Sequence, residues 1–357
     1  MKIVIATGGT GGHLFPALKV AEELRLRGVD VIFIGALAMG IEKIKQRGFS
    51  YYHIPSRGFQ KKNIKDIFLV VVSILKAFKI SWQILRKINP DKVLGFGGYA
   101  SFSVMMAAWF LKIPGMLHEQ NAIPGRANEL LSLFVKKTAL SFEDSKKYFN
   151  PEKIVITGCP THITPQGVLK EDAYRFFGFQ EHKTTLFVFG GSQGSHRINQ
   201  VFIEALMLLK QQMTIQVIHV TGVNDFDTIK ARYASIDISK AIFPFLDRID
   251  YAYRIADLVV ARSGAAAVTE ICLFGCPSLF IPFPYAIGDH QRYNAEILTS
   301  RRLAHMIEEK DLTALKLQAT ICDIIKQNIS REDLTEKLQT IVFSDAEKRL
   351  AEEAINL

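Results

Sequence analysis

Residues 1–13 read MKIVIATGGTGGH, and residues 184–196 read TTLFVFGGSQGSH. Each stretch is a short apolar run that ends in a glycine loop, and a pattern with helical spacing follows each loop. A strand, a glycine-rich turn and a helix in this order are typical of the start of a doubly wound α/β domain. Because the two starts lie about 180 residues apart, we predict two similar domains.

Further apolar runs in each half are predicted strands. They are 31–35, 93–96 and 115–118 in the first half, and 217–220, 258–261 and 278–281 in the second. The helical patterns between them supply the crossover connections that parallel strands need. We therefore predict an α/β fold of two Rossmann-like, doubly wound domains that face each other across a cleft. The boundary is predicted at residues 160 and 161, where a strand-like IVITG runs into Cys159 and Pro160.

Composition fits two globular domains in a reducing compartment. The chain has 357 residues, of which 48% are hydrophobic and 22% charged, enough for two ordinary cores. Four cysteines are too few for a disulfide framework in a chain of this length. Cys272 and Cys276 have possible zinc-ligand spacing, but no further His or Cys lies near them in sequence, so we expect buried thiols and no metal.

Neither an export signal nor a membrane-spanning helix is expected. The apolar run at the N terminus ends in glycines after about five residues, which is too short for the core of a signal peptide. The longest uncharged apolar run, 67–75, is half of the ~18 residues that indicate a transmembrane helix.

Basic residues are concentrated in the first half of the chain. Residues 1–160 carry 23 Lys and Arg against 11 Asp and Glu, whereas residues 161–357 carry 21 against 24. The stretch 57–92 has nine Lys and Arg against two Asp, around an apolar stripe that is predicted to pack on the sheet. The stripe consists of Ile64, Phe68, Val71, Leu75, Phe78, Trp82 and Leu85. With its flanking cations, this helix is predicted to contact an anionic phospholipid surface rather than nucleic acid.

The first glycine loop, residues 7–13, is predicted to hold an anion. Its glycines let backbone N–H groups approach a phosphate or carboxylate at the positive end of a helix. It lacks the Lys-Ser/Thr pair of a P-loop, and Leu14 stands where a dinucleotide fingerprint has its last glycine. His13 is the only titratable side chain in the loop. As a neutral imidazole, which a helix N terminus favours, it is a candidate general base for a hydroxyl nucleophile.

The second glycine loop leaves two interpretations open. GFGGYA at residues 95–100 follows a predicted strand and matches the dinucleotide fingerprint G-x-G-x-x-A, with Glu119 about 20 residues on. An NAD-dependent enzyme is therefore one interpretation. Such a fingerprint normally follows the first strand of its domain, whereas this loop follows several elements, so a second phosphate site is the other.

Acidic residues in the second half suggest a sugar site. Glu270 lies two turns into a predicted helix after the loop Arg262-Ser263-Gly264, where a carboxylate can accept two hydrogen bonds from the hydroxyls of a ribose. Asp225 and Asp227 have the D-x-D spacing that some transferases use for a metal, but their polar surroundings indicate a solvated turn.

Six short motifs follow one another along nearly the whole chain. They are GGTGGH (8–13), GFGGY (95–99), HEQN (118–121), GGSQG (190–194), RSGAAAVTE (262–270) and DHQRYNA (289–295). In this order they resemble the MurG family of UDP-N-acetylglucosamine transferases. The resemblance implies a GT-B fold with no metal and no cofactor. It implies inverting transfer of GlcNAc from UDP-GlcNAc to the 4-hydroxyl of the MurNAc of lipid I, which gives lipid II for peptidoglycan synthesis.

The resemblance also assigns a substrate to each domain. Residues 1–160 would bind the acceptor at the membrane, with a helix at 344–357 packing back on them, and residues 161–343 would bind the UDP-sugar. The protein would lie peripherally on the cytoplasmic face of the plasma membrane and serve cell-wall synthesis, cell shape and cell division. Its partners would be UDP-GlcNAc, lipid I (undecaprenyl-pyrophosphoryl-MurNAc-peptide), anionic phospholipid and cell-wall synthesis or division proteins, but no nucleic acid.

Single residues receive roles from the same resemblance. His13 would be the general base, Leu246 would contact the uracil through its backbone, and Glu270 would hold the ribose. Ser192 and Gln193 would contact the donor phosphates. The other donor contacts would come from Thr10, Gly11, Gly12, Asn121 and Gln291, the last of them to the GlcNAc hydroxyls. The acceptor would be bound by Gly8, Gly9, Gly97, Gly98, Tyr99 and Glu119.

The chain departs from the family pattern in two places. Where the family has Asn-Pro-x-Arg, this chain has Cys159-Pro160-Thr161-His162, and an imidazole offers fewer donors and less charge than a guanidinium. Ser101-Phe102-Ser103 stands in place of Ser-Gly-Pro. Other GT-B proteins that use a UDP-sugar, such as a glycolipid synthase or a UDP-GlcNAc epimerase, are the alternative, and a non-catalytic membrane scaffold is a third. The HEQN and GFGGY motifs favour the MurG family.

Overall fold

The structure is a computed structural model that describes residues 1–8, 11–37, 40–55, 64–191 and 193–357, without the side chains of 64–68. The chain divides into two compact units. Unit 1 comprises Met1–His162 and Asp345–Leu357, and unit 2 comprises Ile163–Ser344.

Unit 1 alternates strands and helices along the chain. They are β1 (Lys2–Gly8), α1 (Gly11–Leu26), β2 (Asp30–Ala36), α2 (Ile41–Gln46), β3 (Ser50–His53), α3 (Ile64–Ile88), β4 (Lys92–Gly95), α4 (Gly98–Phe110), β5 (Gly115–Glu119), α5 (Arg126–Leu131), β6 (Lys137–Leu140) and β7 (Ile154–Ile156). Short 3-10 helices lie at Glu143–Tyr148 and Pro151–Lys153. All seven strands pair in parallel, in the order β3-β2-β1-β4-β5-β6-β7.

Unit 2 repeats this arrangement with six strands. Its elements are α6 (Lys170–Phe177), β8 (Thr184–Phe189), α7 (His196–Leu209), β9 (Ile215–Val220), α8 (Phe226–Tyr233), β10 (Ser239–Phe243), α9 (Ile249–Ile255), β11 (Leu258–Ala261), α10 (Ala265–Phe274), β12 (Ser278–Phe280), α11 (His290–Thr299), β13 (His305–Met306), α12 (Ala314–Lys326) and α13 (Arg331–Gln339). Short 3-10 helices lie at Ile287–Asp289 and Glu309–Asp311. The strands are parallel, in the order β10-β9-β8-β11-β12-β13.

The strand β1 shows why the sequence folds in this way. Its residues Ile3, Val4, Ile5 and Ala6 are all 0% exposed, as expected for a central strand that is covered on both faces. Ile3 and Ile5 pack into a cluster with α1, whereas Val4 and Ala6 pack into a cluster with α3 and α4. Alternate side chains of a strand point to opposite faces, so one apolar run anchors helices on both sides. The predicted doubly wound α/β fold is confirmed.

Both sheets reverse their strand order beside the first strand, between β1 and β4 in unit 1 and between β8 and β11 in unit 2. Ligands of open α/β sheets bind at the carboxyl ends of the strands at such a switch point. The loops that follow these four strands are the two glycine loops of the first half, the GGSQG loop and the loop Arg262-Ser263-Gly264.

The orientation of α3 differs from the prediction. Within its described side chains, Val71 and Leu75 are 47% and 62% exposed, while Ala77, Ser81 and Leu85 are buried. Small residues on the inner face let α4 pack closely against α3, and the hydroxyl of Ser81 donates to the carbonyl of Ala77 at 2.7 Å, which satisfies it in the core. The predicted stripe therefore faces the core only in part, because Val71 and Leu75 point to solvent whereas Leu85 is buried.

The last helix, α14 (Ala346–Ile355), belongs to unit 1. Leu350, Ala351 and Ala354 are buried in the same cluster as α1. Lys137 pairs with Glu353 at 2.6 Å, and Lys92 donates to the carbonyl of Ile355. The end of the chain thus completes the core on one face of the first sheet.

Truncation of Leu350 tests this packing. Leu350→Ala is expected to lower the free energy of unfolding of unit 1 by about 2–5 kcal/mol, because it leaves a cavity against α1. Both tryptophans, Trp82 and Trp109, lie in unit 1, so denaturation followed by tryptophan fluorescence reports this unit. The control Glu352→Ala changes an exposed residue of the same helix and should shift the free energy by less than about 0.5 kcal/mol. Equal effects of the two substitutions would contradict the packing role of α14.

Candidate active site

His13 lies in the first turn of α1, which begins at Gly11 within the first glycine loop. The second glycine loop meets it there. A Cβ placed on Gly97 would lie 3.2 Å from Cε1 of His13, and one on Gly98 would lie 3.9 Å from its Cδ2. Gly97 and Gly98 also have φ values of 90° and 85°, which side-chain-bearing residues rarely adopt. Glycine at these positions therefore lets the second loop approach the imidazole. Gly9 and Thr10 lie outside the described residues.

Residues of the HEQN motif are linked to His13 by hydrogen bonds. Nδ1 of His13 lies 3.0 Å from Oε1 of Gln120, and Nε2 of Gln120 lies 3.0 Å from Nδ1 of His118. Nε2 of His118 in turn donates to the carbonyl of Gly158 at 2.9 Å. Burial lowers the pKa of His118 to about 4, so its ring is neutral at neutral pH. The sequence predicted the motif as part of the site but gave Gln120 and His118 no role.

Glu119 organises the loop that follows β5. Its Oε1 accepts from the backbone N–H and the side-chain amide of Asn121, and its Oε2 accepts from Gly125 N–H and from Nδ2 of Asn128 at 2.8 Å. Glu119 is 1% exposed. The structure thus gives this carboxylate a role in shaping the loop, while its contact with an acceptor stays a prediction. Tyr99, by contrast, is 40% exposed in the first turns of α4.

Asn128 is a residue that sequence reasoning missed. It is 3% exposed, and its Nδ2 donates to Glu119 and to the carbonyl of His118. Its Oδ1 has no hydrogen-bond partner within the part of the chain that the structure describes. A Cβ on Gly97 would lie 3.3 Å from this oxygen, so an unsatisfied acceptor stands beside the second glycine loop. Asn128 lies outside the six motifs, and only its burial reveals it.

In unit 2 the GGSQG loop lies between β8 and α7. Ser195 caps α7, and its hydroxyl accepts from the N–H of Ile198 at 3.5 Å. Gly194 has a φ of 78°, and a Cβ on it would lie 2.0 Å from the carbonyl oxygen of Thr221, so no other residue fits there. Gln193 is exposed at the tip of the loop. The predicted phosphate contact Ser192 lies outside the described residues.

Arg262 forms hydrogen bonds with several loops at the carboxyl ends of the strands of the second sheet. Its Nη1 donates to the carbonyls of Ile281 and Pro282 at 2.9 and 3.0 Å, and its Nη2 donates to Oγ of Ser195 at 2.8 Å and to Glu309. Arg262 is 7% exposed, and this burial lowers its pKa, which the bond to Glu309 opposes. Arg262 belongs to the RSGAAAVTE motif, but the sequence alone predicted no role for it. The structure shows that it holds Ser195, the N-cap of α7.

Glu270 lies on α10, which begins after β11 and the Arg262-Ser263-Gly264 loop. It is 6% exposed, and the hydroxyl of Tyr253 donates to its Oε2 at 3.0 Å. Burial raises the pKa of Glu270 to about 7, and the bond from Tyr253 opposes this rise. The carboxyl group therefore titrates near neutrality, which is unusual for a glutamate and common at functional sites.

Gln291 is held next to the same loop. Its carbonyl accepts from the hydroxyl of Ser263 at 2.7 Å, its Oε1 accepts from the N–H of Phe283, and Asn294 donates to the carbonyl of Ser263. Leu246, in contrast, follows β10, the edge strand of the second sheet, and is 6% exposed. The predicted contact of its backbone with the uracil would therefore lie on the β9 and β10 side of β8.

Asp225 differs from the solvated turn that its polar surroundings indicated. It accepts from Nδ2 of Asn199 at 2.8 Å and lies 2.9 Å from Nδ1 of His196, so it anchors the start of α7. Asp227 is exposed. In the described part of the chain, no group of three or more His, Cys, Asp or Glu could hold a metal ion, and Cys272 and Cys276 are buried thiols.

Two sequence models of glycosyltransferase family 28 match the chain. The N-terminal domain of that family matches residues 3–140, and its C-terminal domain matches residues 185–350. A protein of Halothermothrix orenii, named UDP-N-acetylglucosamine–N-acetylmuramyl-(pentapeptide) pyrophosphoryl-undecaprenol N-acetylglucosamine transferase, is 37% identical over 91% of this chain and 90% of its own length. A protein of the same name from Caldanaerobacter subterraneus is 36% identical over 98% of each chain.

Solved structures agree with these relatives. The crystal structure of MurG from Acinetobacter baumannii superposes with a TM-score of 0.79 and 27% identity, and it covers 100% of this chain and 99% of that one. A UDP-GlcNAc 2-epimerase from Neisseria meningitidis reaches a TM-score of 0.70 at 13% identity over the full length of both chains, which shows a shared fold only. The resemblance seen in the six motifs is confirmed: the chain belongs to the MurG family within glycosyltransferase family 28.

Proposed function

We propose that this protein transfers GlcNAc from UDP-GlcNAc to the 4-hydroxyl of the MurNAc of lipid I, with inversion and without a metal. The observation that carries the proposal is the position of His13, in the first turn of α1 at the switch point of unit 1 and against the glycines of the second loop. Relatives that carry the name of this transferase match the chain over nearly its full length.

His13 acts as the general base in this proposal. Its imidazole takes the proton of the acceptor hydroxyl while the oxygen attacks the anomeric carbon of GlcNAc, and UDP leaves with the electrons of the broken bond. Backbone N–H groups of the first two glycine loops and the N termini of α1 and α4 suit the diphosphate of the lipid acceptor. Gly8, Gly9, Gly97 and Gly98 would provide this cradle, with Tyr99 beside it.

The donor is assigned to unit 2. The loop before α7 suits its diphosphate through Ser192, Gln193 and the helix N terminus, while Leu246 would meet the uracil. The carboxylate of Glu270 would accept hydrogen bonds from the ribose, and Gln291 would bind the GlcNAc hydroxyls. In unit 1, Thr10, Gly11, Gly12 and Asn121 would reach the donor sugar. Arg262, although it is not a proposed ligand contact, keeps the cap of α7 in place.

An exposed apolar face of unit 1 supports attachment to an anionic membrane. Val71 and Leu75 on α3 and Trp109 and Phe110 at the end of α4 are 44–62% exposed, and Phe110 contacts Phe78 in an edge-to-face arrangement. Nearby exposed cations are Lys76, Lys79, Arg86, Lys87. Among the described residues, none of the helices has the length and apolar character needed to span a bilayer. We propose peripheral binding at the cytoplasmic face of the plasma membrane, where lipid II for cell-wall growth, cell shape and division would be made.

Removal of the proposed base tests the catalytic assignment. His13→Ala is expected to lower kcat by at least about a hundredfold, because general-base catalysis contributes about 10² to 10⁴. The assay is transfer of radiolabelled GlcNAc from UDP-GlcNAc to a lipid I analogue in detergent with EDTA. The exposed His182, changed to Ala, is a matched control and should keep the rate. Full activity of His13→Ala would remove its role as base, and a folded wild type without transfer would refute the proposed reaction.

The raised pKa of Glu270 gives a second test. Ribose hydroxyls donate to the ionised carboxylate, so UDP-GlcNAc should bind up to about tenfold more weakly for each pH unit below about 7. The diphosphate of UDP-GlcNAc is esterified at both ends and does not titrate in this range. Calorimetric titration between pH 5.5 and 8 should show this slope in the wild type. Glu270→Gln should bind more weakly at pH 8 and lose the slope, and the same slope in both proteins would contradict the ribose contact.

The membrane proposal is tested by removing apolar side chains from α3. Val71→Ser with Leu75→Ser should weaken sedimentation with phosphatidylglycerol vesicles by about tenfold or more, because each side chain buries apolar area in the interface. Leu26→Ser is the control, since Leu26 is 83% exposed on α1, which packs on the opposite face of the sheet. An equal loss with the control, or no loss with the double variant, would argue against this surface.

A further inference from the structure

Gln120 faces three acceptors that fix the orientation of its amide. Its Nε2 lies 3.2 Å from the carbonyl oxygen of Phe96, 3.0 Å from the carbonyl oxygen of His118 and 3.0 Å from Nδ1 of His118. Carbonyl oxygens only accept hydrogen bonds, so the NH2 group must point to this side. Gln120 is 2% exposed, and a flipped amide would bury its oxygen against two other oxygens. Oε1 therefore points toward His13.

His118 is consistent with this orientation. Its Nε2 lies 2.9 Å from the carbonyl oxygen of Gly158 and so must carry the hydrogen, and Oγ of Ser141, at 3.3 Å from the same nitrogen, can then only accept. A neutral imidazole has one N–H, which leaves Nδ1 of His118 as the acceptor that Gln120 requires. Hydrogen-bond directions are thus determined from the Gly158 carbonyl through His118 to Gln120.

The chain of hydrogen bonds ends at His13. Oε1 of Gln120 can only accept, and it lies 3.0 Å from Nδ1 of His13, so Nδ1 carries the hydrogen of the neutral ring. We propose that Gln120 is a positioning residue that holds His13 in the Nδ1–H tautomer, with the lone pair on Nε2. This inference rests on the proposed role of His13 as base. When Nε2 takes the proton of the acceptor hydroxyl, Nδ1–H still donates to Gln120, whose amide oxygen stabilises the new positive charge.

The tautomer can be observed directly in the wild-type protein. Two-bond ¹⁵N–¹H correlation spectra of ¹⁵N-histidine-labelled protein at pH 8 distinguish protonated from unprotonated ring nitrogens. The chain has nine histidines, and the signals of His13 are identified by their loss in His13→Ala. We expect Nδ1–H for His13. A spectrum that shows Nε2–H for His13 in the wild type would overturn the proposal, whatever the activity of the protein.

Substitution of Gln120 separates positioning from mere packing. Gln120→Met keeps the length of the side chain but removes the acceptor, so the Nε2–H tautomer of His13, which free histidine prefers, should appear. Gln120→Glu keeps an oxygen that accepts from Nδ1–H and should retain the wild-type tautomer. Ser145→Ala removes a different buried hydroxyl of unit 1, which donates to the carbonyl of Phe142, and should leave the tautomer unchanged.

Kinetics provide the second readout. Gln120→Met should lower kcat by about tenfold or more, since it misorients the base, while KM for UDP-GlcNAc stays within about threefold. Gln120→Glu should recover part of the lost kcat. If Gln120→Met keeps both the Nδ1–H signal and the wild-type kcat, Gln120 does not position His13. A wild type with the Nδ1–H tautomer but without transfer would support the tautomer assignment and refute the proposed function instead.

Discussion

A parallel sheet places the carboxyl ends of all its strands along one edge, and this constraint underlies the whole site. In each unit the strand order reverses beside the first strand, so the helices after β1 and β4, and those after β8 and β11, leave in opposite directions. Loops at such a reversal are not covered by a crossover helix. The chain therefore presents backbone N–H groups and helix N termini there, which is the arrangement that diphosphates require.

Close backbone approach is the second requirement of these loops. Gly194 lies so near the carbonyl of Thr221 that a Cβ would overlap it, and Gly97 leaves just enough space for the ring of His13. A glycine loses more conformational entropy on folding than an alanine does, so these glycines lower the stability of the folded state. Buried charged side chains fix loops at the same ends of the two sheets: Glu119 fixes the loop after β5 in unit 1, and Arg262 fixes the start of α7 after the GGSQG loop in unit 2.

Both of these fixing residues are charged and almost fully buried, which is costly unless every polar atom has a partner. Glu119 receives hydrogen bonds on both carboxylate oxygens, and Arg262 donates to two carbonyls, a hydroxyl and a carboxylate. The buried neutral ring of His118 is also hydrogen-bonded through both nitrogens, and Gln120 links it to His13. Buried groups that are bonded to one another in this way favour one arrangement, which holds the neighbouring site residues in a defined geometry.

Local pattern was sufficient for the central strands and for the places of the glycine loops, but it did not reveal β3, β6, β10 and β13. The helix predicted after the GGSQG loop spans His196–Leu209 in the structure, and β11 spans Leu258–Ala261, because periodicity and glycine act over neighbouring residues. The motifs, by their order, were enough to identify the family. His13 and Glu270 were also recognisable as candidates from their positions after glycine-containing loops.

Only the tertiary structure decided which distant groups meet. Gln120 reaches His13 across 107 positions of sequence, and Arg262 reaches Ser195 across 67, because strand order brings β5 near β1 and β11 beside β8. The raised pKa of Glu270 and the unsatisfied oxygen of Asn128 arise from burial, which depends on neighbours that are remote in sequence. The exposed face of α3 likewise depends on the packing of α4 against Ala77 and Ser81. Sequence periodicity predicts that a helix has an apolar face, but contacts with its neighbours determine which part of that face is buried.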